Sequence, residues 1–218
     1  MRRITRGAAV FAMAIMLVLS QSACTAGDEA IAILNGTLPV VQGVGAVVAL
    51  ADPALSPVIT AGIAGYTAAI GVATTAYNNW KTAVASAQPS KLADFEAAMA
   101  AVKTSLNQIL TVAHVTDPAK QNSIDLLFSA AMSAITEVIT LTEQVKSLGG
   151  TTADLDLVLH HEQWGGGKAP APAQTKALKF AKPTINQKHM ASDLKKRLLV
   201  KTGDTQLDAV RASIAAKL

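Results

Sequence analysis

Four stretches between Asp28 and Leu148 place apolar side chains at alternating intervals of three and four. Ile31, Leu34, Leu38, Val41, Gly45 and Val48 form the first set, and Ile59, Ile63, Tyr66, Ile70, Ala73, Tyr77, Trp80 and Val84 the second. Leu92, Phe95, Met99, Val102, Leu106, Ile109 and Ala113 form the third; Ile124, Leu127, Ala131, Ala134, Val138, Leu141 and Val145 form the fourth. This spacing lines each set along one stripe of an α-helix, the seam by which helices pack in bundles. The period of two that a half-buried strand requires is not found.

Punctuation falls between the sets. Asp52-Pro53, Ser56-Pro57 and Asp117-Pro118 each put a capping side chain before a proline at a first helical position. Ser90 is a candidate cap after Gln88-Pro89, and Gly149-Gly150 closes the fourth segment. Connections this short join antiparallel neighbours. The expected fold is all-α: an antiparallel up-down four-helix bundle over 31–148. Its first helix should be kinked, because Asn35-Gly36, Pro39, Gly43 and Gly45 all weaken a helix. Two short helical pieces are expected there.

The pattern changes after Thr151. Residues 165–167 are glycines and 169–173 alternate Ala and Pro, so 149–190 reads as a partly flexible linker. Beyond it, 191–218 should carry one or two short helices. Ser192 or Asp193 can cap one through about Lys201, and Asp204 can cap another from Thr205 to Lys217. In the latter, Leu207, Val210, Ile214 and Leu218 make a stripe that must dock on something.

Composition adds two exclusions. Half of the residues are hydrophobic and only 16% charged, which excludes disorder of the whole chain. A lone cysteine excludes a disulfide framework and a cysteine-rich zinc module. The net charge of +4 divides into +3 for residues 1–24, −4 for 25–150 and +5 for 151–218. An acidic bundle is thus joined to a basic tail. The tail can fold back on the bundle. It can instead reach an anionic envelope partner, headgroups or an acidic wall polymer, through Lys176, Lys179, Lys182, Lys195, Lys196 and Arg197. Nucleic acid is not expected, since base-stacking aromatics are scarce.

The first residues supply an address. Arg2, Arg3 and Arg6 precede a twelve-residue apolar run, Ala8 to Leu19, too short to span a bilayer but suited to a secretory signal. Ser22 and Ala23 then lead to Cys24. This segment resembles a bacterial prolipoprotein signal peptide with its lipobox, although Gln21 stands where that family prefers Leu, Val or Ile. The resemblance implies removal of residues 1–23, covalent lipid on Cys24 and a short lipidated tether over 24–30. With Thr25 and not Asp after the cysteine, it also implies the outer membrane over the inner. Export makes nucleic acid a still poorer partner.

Two other functions compete with a non-catalytic, lipid-anchored binding or scaffolding module. Residues 30–51 and 53–80 are uncharged runs of 22 and 28 residues, and Ala61, Gly65 and Ala69 repeat every fourth position. A membrane-inserting hairpin over 31–85, pore-forming or holin-like, has that pattern. An oligomer that buries the same faces is another way to satisfy it. Separately, Asp154, Asp156, His160, His161 and Glu162 are low-ranking candidates for a divalent-metal site, without a metalloprotease spacing. No nucleophile elbow or phosphate loop is present, so no catalytic residue and no cofactor beyond the lipid is assigned. His114 suits a cation at the end of the third helix. Trp80, with Asn78 and Asn79, is a core aromatic before it is a pocket wall.

Overall fold

The computed structural model describes residues 26–152, 154 and 187–218. They fold into α1 (Ala26–Ala51), a 3-10 turn (Pro53–Leu55), α2 (Ser56–Thr82), α3 (Gln88–Val112), α4 (Pro118–Leu148), α5 (Gln187–Leu198) and α6 (Thr205–Ala215). Strands are absent among the described residues. α1 to α4 form an up-down-up-down ring in which α2 packs most extensively on α3, and α1 on α4. Antiparallel pairing is fixed by cross-contacts. Thr37 meets Tyr66, Tyr77 meets Phe95, and Lys146 reaches Glu96 at 2.6 Å.

The third and fourth seams are buried in full, from Leu92 to Ala113 and from Ile124 to Val145. Leu, Phe and Met stand there against charged opposite faces, so the pattern leaves one choice of core side. In the second seam Ile63 is only partly buried, and the exposed exception is Val84. It lies beyond the end of α2 and is 71% exposed.

α1 departs most from expectation. The break expected at Pro39 does not occur; the helix runs unbroken from Ala26 to Ala51. A helix-interior proline costs about 3 kcal/mol. The carbonyl its ring displaces belongs to Asn35, an exposed residue that water can serve. Against that cost, Leu34, Val40, Val41, Val44, Val47 and Val48 are all within a few per cent of full burial. At roughly 1.5–3 kcal/mol for each such side chain, packing wins. The helix also begins before Ile31, so the tether expected over 24–30 is helical from Ala26 onward.

The caps expected at Asp52, Asp117 and Asp204 form. Asp52 accepts from Ala54 N at 3.0 Å, Asp117 from Ala119 N at 2.9 Å, and Asp204 from Gln206 N at 2.9 Å. The two serines do not cap. Ser56 is the first residue of α2, which follows directly on the Asp52-capped turn. Ser90 lies inside α3 and its hydroxyl donates to Ala87 O at 2.9 Å. α5 begins at Gln187, ahead of Ser192 and Asp193, and ends at Leu198.

The C-terminal helices dock on the bundle. α6 lies against α1, α5 lies against α4, and the two contact each other as a helical hairpin. Leu207 and Ile214 are buried in the interface. Gly43 makes room for it: a Cβ there would stand 2.6 Å from Ile214 Cδ1.

Candidate functional site

The described chemistry is concentrated at the two ends of the bundle. The end that holds Ala26 also holds the α2–α3 turn and the end of α4. Here Trp80 Nε1 donates to Gly150 O at 2.9 Å. Gln88, almost buried, donates to Ala83 O at 3.2 Å and to Thr152 Oγ at 3.2 Å. Its own carbonyl accepts from Thr152 N at 3.1 Å. Gly149 and Gly150 adopt φ of 144° and 79°, conformations that let the chain leave α4 and cross over α3. Trp80 is therefore core, and Asn78 and Asn79 face solvent.

The opposite end holds the 3-10 turn, the α3–α4 connection and the α5–α6 turn. Asp117 pairs with Lys120 at 3.0 Å, and Lys120 also lies 3.7 Å from Asp204. The Lys120 side chain holds the Asp117 carboxyl below its ordinary range, and the Asp117 carboxylate in turn raises the Lys120 ammonium. Asp208 accepts from Thr202 N and Oγ, both at 2.8 Å, and these bonds keep its carboxyl low. Gly203 turns the chain at φ 90°.

Arg211 is the one buried cation among the described residues. Its Nε donates to Leu198 O at 3.1 Å and its Nη2 to Arg197 O at 2.5 Å. A guanidinium thus caps the C-terminal carbonyls of α5, where the helix dipole favours positive charge. Nothing in the local pattern marked it, since its partners lie 13 and 14 residues away.

Of the basic residues expected to meet an anionic partner, Lys195, Lys196 and Arg197 share the exposed last turn of α5. Leu194 and Leu198 are buried. Lys176, Lys179 and Lys182 lie outside the described residues. Directly after the basic turn, Leu199 and Val200 are 56% and 63% exposed, and exposed Lys201 follows. The helix expected through about Lys201 thus ends earlier, at Leu198.

Cys24 and the metal candidates Asp156, His160, His161 and Glu162 also lie outside the described residues. Asp154 is described, and its carboxylate accepts from Thr151 N at 2.9 Å and Thr151 Oγ at 2.7 Å. No group of three or more metal-ligating side chains occurs among the described residues. His114 follows the α3 C-cap Ala113 and is exposed.

An open groove of about 600 Å³ lies between α4 and α5, lined by Ser129, Ser133, Glu137 and Arg197 among others. Burial raises the Glu137 carboxyl above its usual range. Three stretches, Ala30–Ala51, Pro53–Thr82 and Pro118–Leu148, are long and apolar enough to cross a membrane. The most apolar window of the second is only 17% buried. Of the small residues there, Gly62 serves close packing, with a Cβ 2.9 Å from Ile109 Cγ1, whereas Gly65 has nothing within 4 Å. No protein-family model, curated protein or solved structure matches the chain.

Proposed function

We propose that this chain is a non-catalytic, lipid-anchored module of a bacterial cell envelope that holds a partner through its C-terminal hairpin. The observation that carries the reading is the start of α1 at Ala26, two residues after Cys24. Two acyl chains on that cysteine anchor firmly. With so few residues between lipid and helix, the Ala26 end of the bundle is held against the bilayer, and the opposite end is presented outward. The resemblance of residues 1–24 to a prolipoprotein signal supports the same placement, with the outer membrane favoured by Thr25.

The hairpin alternative over 31–85 is the weaker reading. To insert α1 and α2 together, the protein must give up the α2–α3 and α1–α4 interfaces, its two most extensive. It must also strip Lys81 and the buried Trp80–Gly150 bond from their surroundings.

Metabolic labelling with a clickable palmitate analogue tests the anchored reading. The wild-type chain is expected to incorporate label and sediment with membranes, and Cys24→Ala to lose the label. A wild-type chain that takes up no label refutes it.

A further inference from the structure

The outward end of the bundle carries an unusual surface for a water-exposed tip. Six large apolar residues are exposed among the described residues, and Val58, Val112, Leu199 and Val200 all lie at this end. Leu199 and Val200 are adjacent and project from the α5–α6 turn. Lys195, Lys196 and Arg197 precede them and Lys201 follows, all exposed. Nearby acids are engaged elsewhere. Asp204 caps α6 and lies near Lys120, Asp208 holds Thr202, and Asp117 is paired with Lys120. Among the described residues Asp193 lies 3.7 Å from Lys196 and Glu137 shares the α4–α5 groove with Lys196 and Arg197, two acids against four cations. The turn itself is stiff. Arg211 fastens the end of α5, and Asp204 and Asp208 fasten the start of α6.

We propose that this turn is a second membrane-contact site, which inserts Leu199 and Val200 among the headgroups of an anionic bilayer while Lys195, Lys196, Arg197 and Lys201 meet the phosphates. Charge complementarity alone fits an acidic polymer as well. The exposed apolar pair decides for a bilayer, because a hydrated polymer offers nothing in which to bury it. Direction follows from the topology. Lys120 and Asp204 tie the turn to the start of α4, the end opposite Ala26. α1 alone, 26 residues at about 1.5 Å each, separates the ends by roughly 39 Å. On the anchored reading, from which this direction is taken, the protein therefore reaches from one bilayer surface to a second that faces it.

The test is vesicle capture. The full-length chain is reconstituted into bead-bound donor vesicles of neutral phosphatidylcholine, held there by its N-terminal segment. Fluorescent acceptor vesicles are added, either neutral or rich in phosphatidylglycerol. Capture of the anionic acceptors alone is expected. The neutralisations K195Q, K196Q and K201Q together should lower it on the order of a hundredfold. L199S with V200S should lower it about tenfold, and Val200→Trp, with a thermal melt matching wild type, should raise it. If the wild-type chain captures no anionic acceptors, the proposal fails. It fails equally if L199S/V200S captures as wild type does and soluble polyglutamate competes capture completely, which would assign the turn to an acidic polymer. Capture is scored whatever holds the protein in the donor, so a negative palmitate result overturns the anchor and leaves this surface standing.

Discussion

Tyr66 carries the sharpest test of how the bundle is held together. Its hydroxyl lies 2.5 Å from Thr37 Oγ, in a core of almost wholly apolar side chains. Thr37 Oγ already donates to Leu34 O at 2.6 Å, so it accepts from Tyr66, and the phenol is the donor. Burial pushes that phenol from 10.0 up to about 12. A raised acid favours its protonated form in the folded state. Its contribution to stability is therefore fully present below pH 10 and is lost as pH climbs from 10 towards 12.

Tyr66→Phe removes one donor and leaves an unmet acceptor lone pair on a hydroxyl that still donates. The cost near neutrality should be about 1 kcal/mol. Near pH 11 the wild-type chain should have lost about 1.4 kcal/mol that the variant cannot lose. The two stabilities should then converge or cross. Urea denaturation of residues 25–218 and of the variant, at pH 8 and pH 11, measures both differences. All other alkaline titrations, including those of the lysines and Tyr77, are shared and cancel in the comparison. A gap of constant size at the two pH values would refute the account of Tyr66 as a buried donor.

Two further substitutions probe the packing. Gly65→Ala should stabilise by about 0.5–1 kcal/mol through helix propensity, since nothing lies within 4 Å of its Cβ. Gly62→Ala must displace Ile109 from 2.9 Å and should forfeit that gain or reverse it, as thermal melts of the pair will read. Gln88→Ala abolishes two hydrogen bonds to Thr152 and one to Ala83 O and should cost about 1–3 kcal/mol. Limited proteolysis should then cut after residue 148 sooner than in the wild-type chain.

What the sequence disclosed depended on contrast between faces. Phe95, Met99 and Leu106 oppose Asp94, Lys103 and Asn107, so the α3 seam is unmistakable. From Ala30 to Ala51 there is no charged residue to mark an outside. The seam through Leu34, Val41 and Val48 was found, but Ile33, Thr37, Val40, Val44 and Val47 form a second buried row beside it. α1 needs both rows because it is covered by α2, α4 and α6. Periodicity reports the stripe facing one neighbour and understates a helix with three. Long-range polar contacts were equally hidden: Gln88 and Thr152 are 64 residues apart. At the candidate surface, Lys195–Arg197 announced themselves by charge. Leu199 and Val200 did not, because three consecutive apolar residues from Leu198 fit the end of a helix until the helix is seen to stop at Leu198.

The placement of the polar contacts follows from the poverty of the seams. Rows of Ala and Val, as along α1 and parts of α4, pack almost equally well when slid by a heptad, so apolar burial there leaves register loosely specified. A buried donor left without its acceptor costs about 1–3 kcal/mol, and a slid register would orphan Tyr66, Trp80 and Gln88 together. Trp80 and Gln88 pin α2 and α3 to the end of α4 at the Ala26 end, and Tyr66 pins α2 to α1 near mid-length. Arg211, Lys120 and Asp204 fix the hairpin at the other end. The registered core thus spans the whole length between the Ala26 end and the basic turn. The proposed membrane contact would need Leu199 and Val200 held at a set distance from Ala26, which requires a rod whose length cannot slip, and the polar contacts supply it.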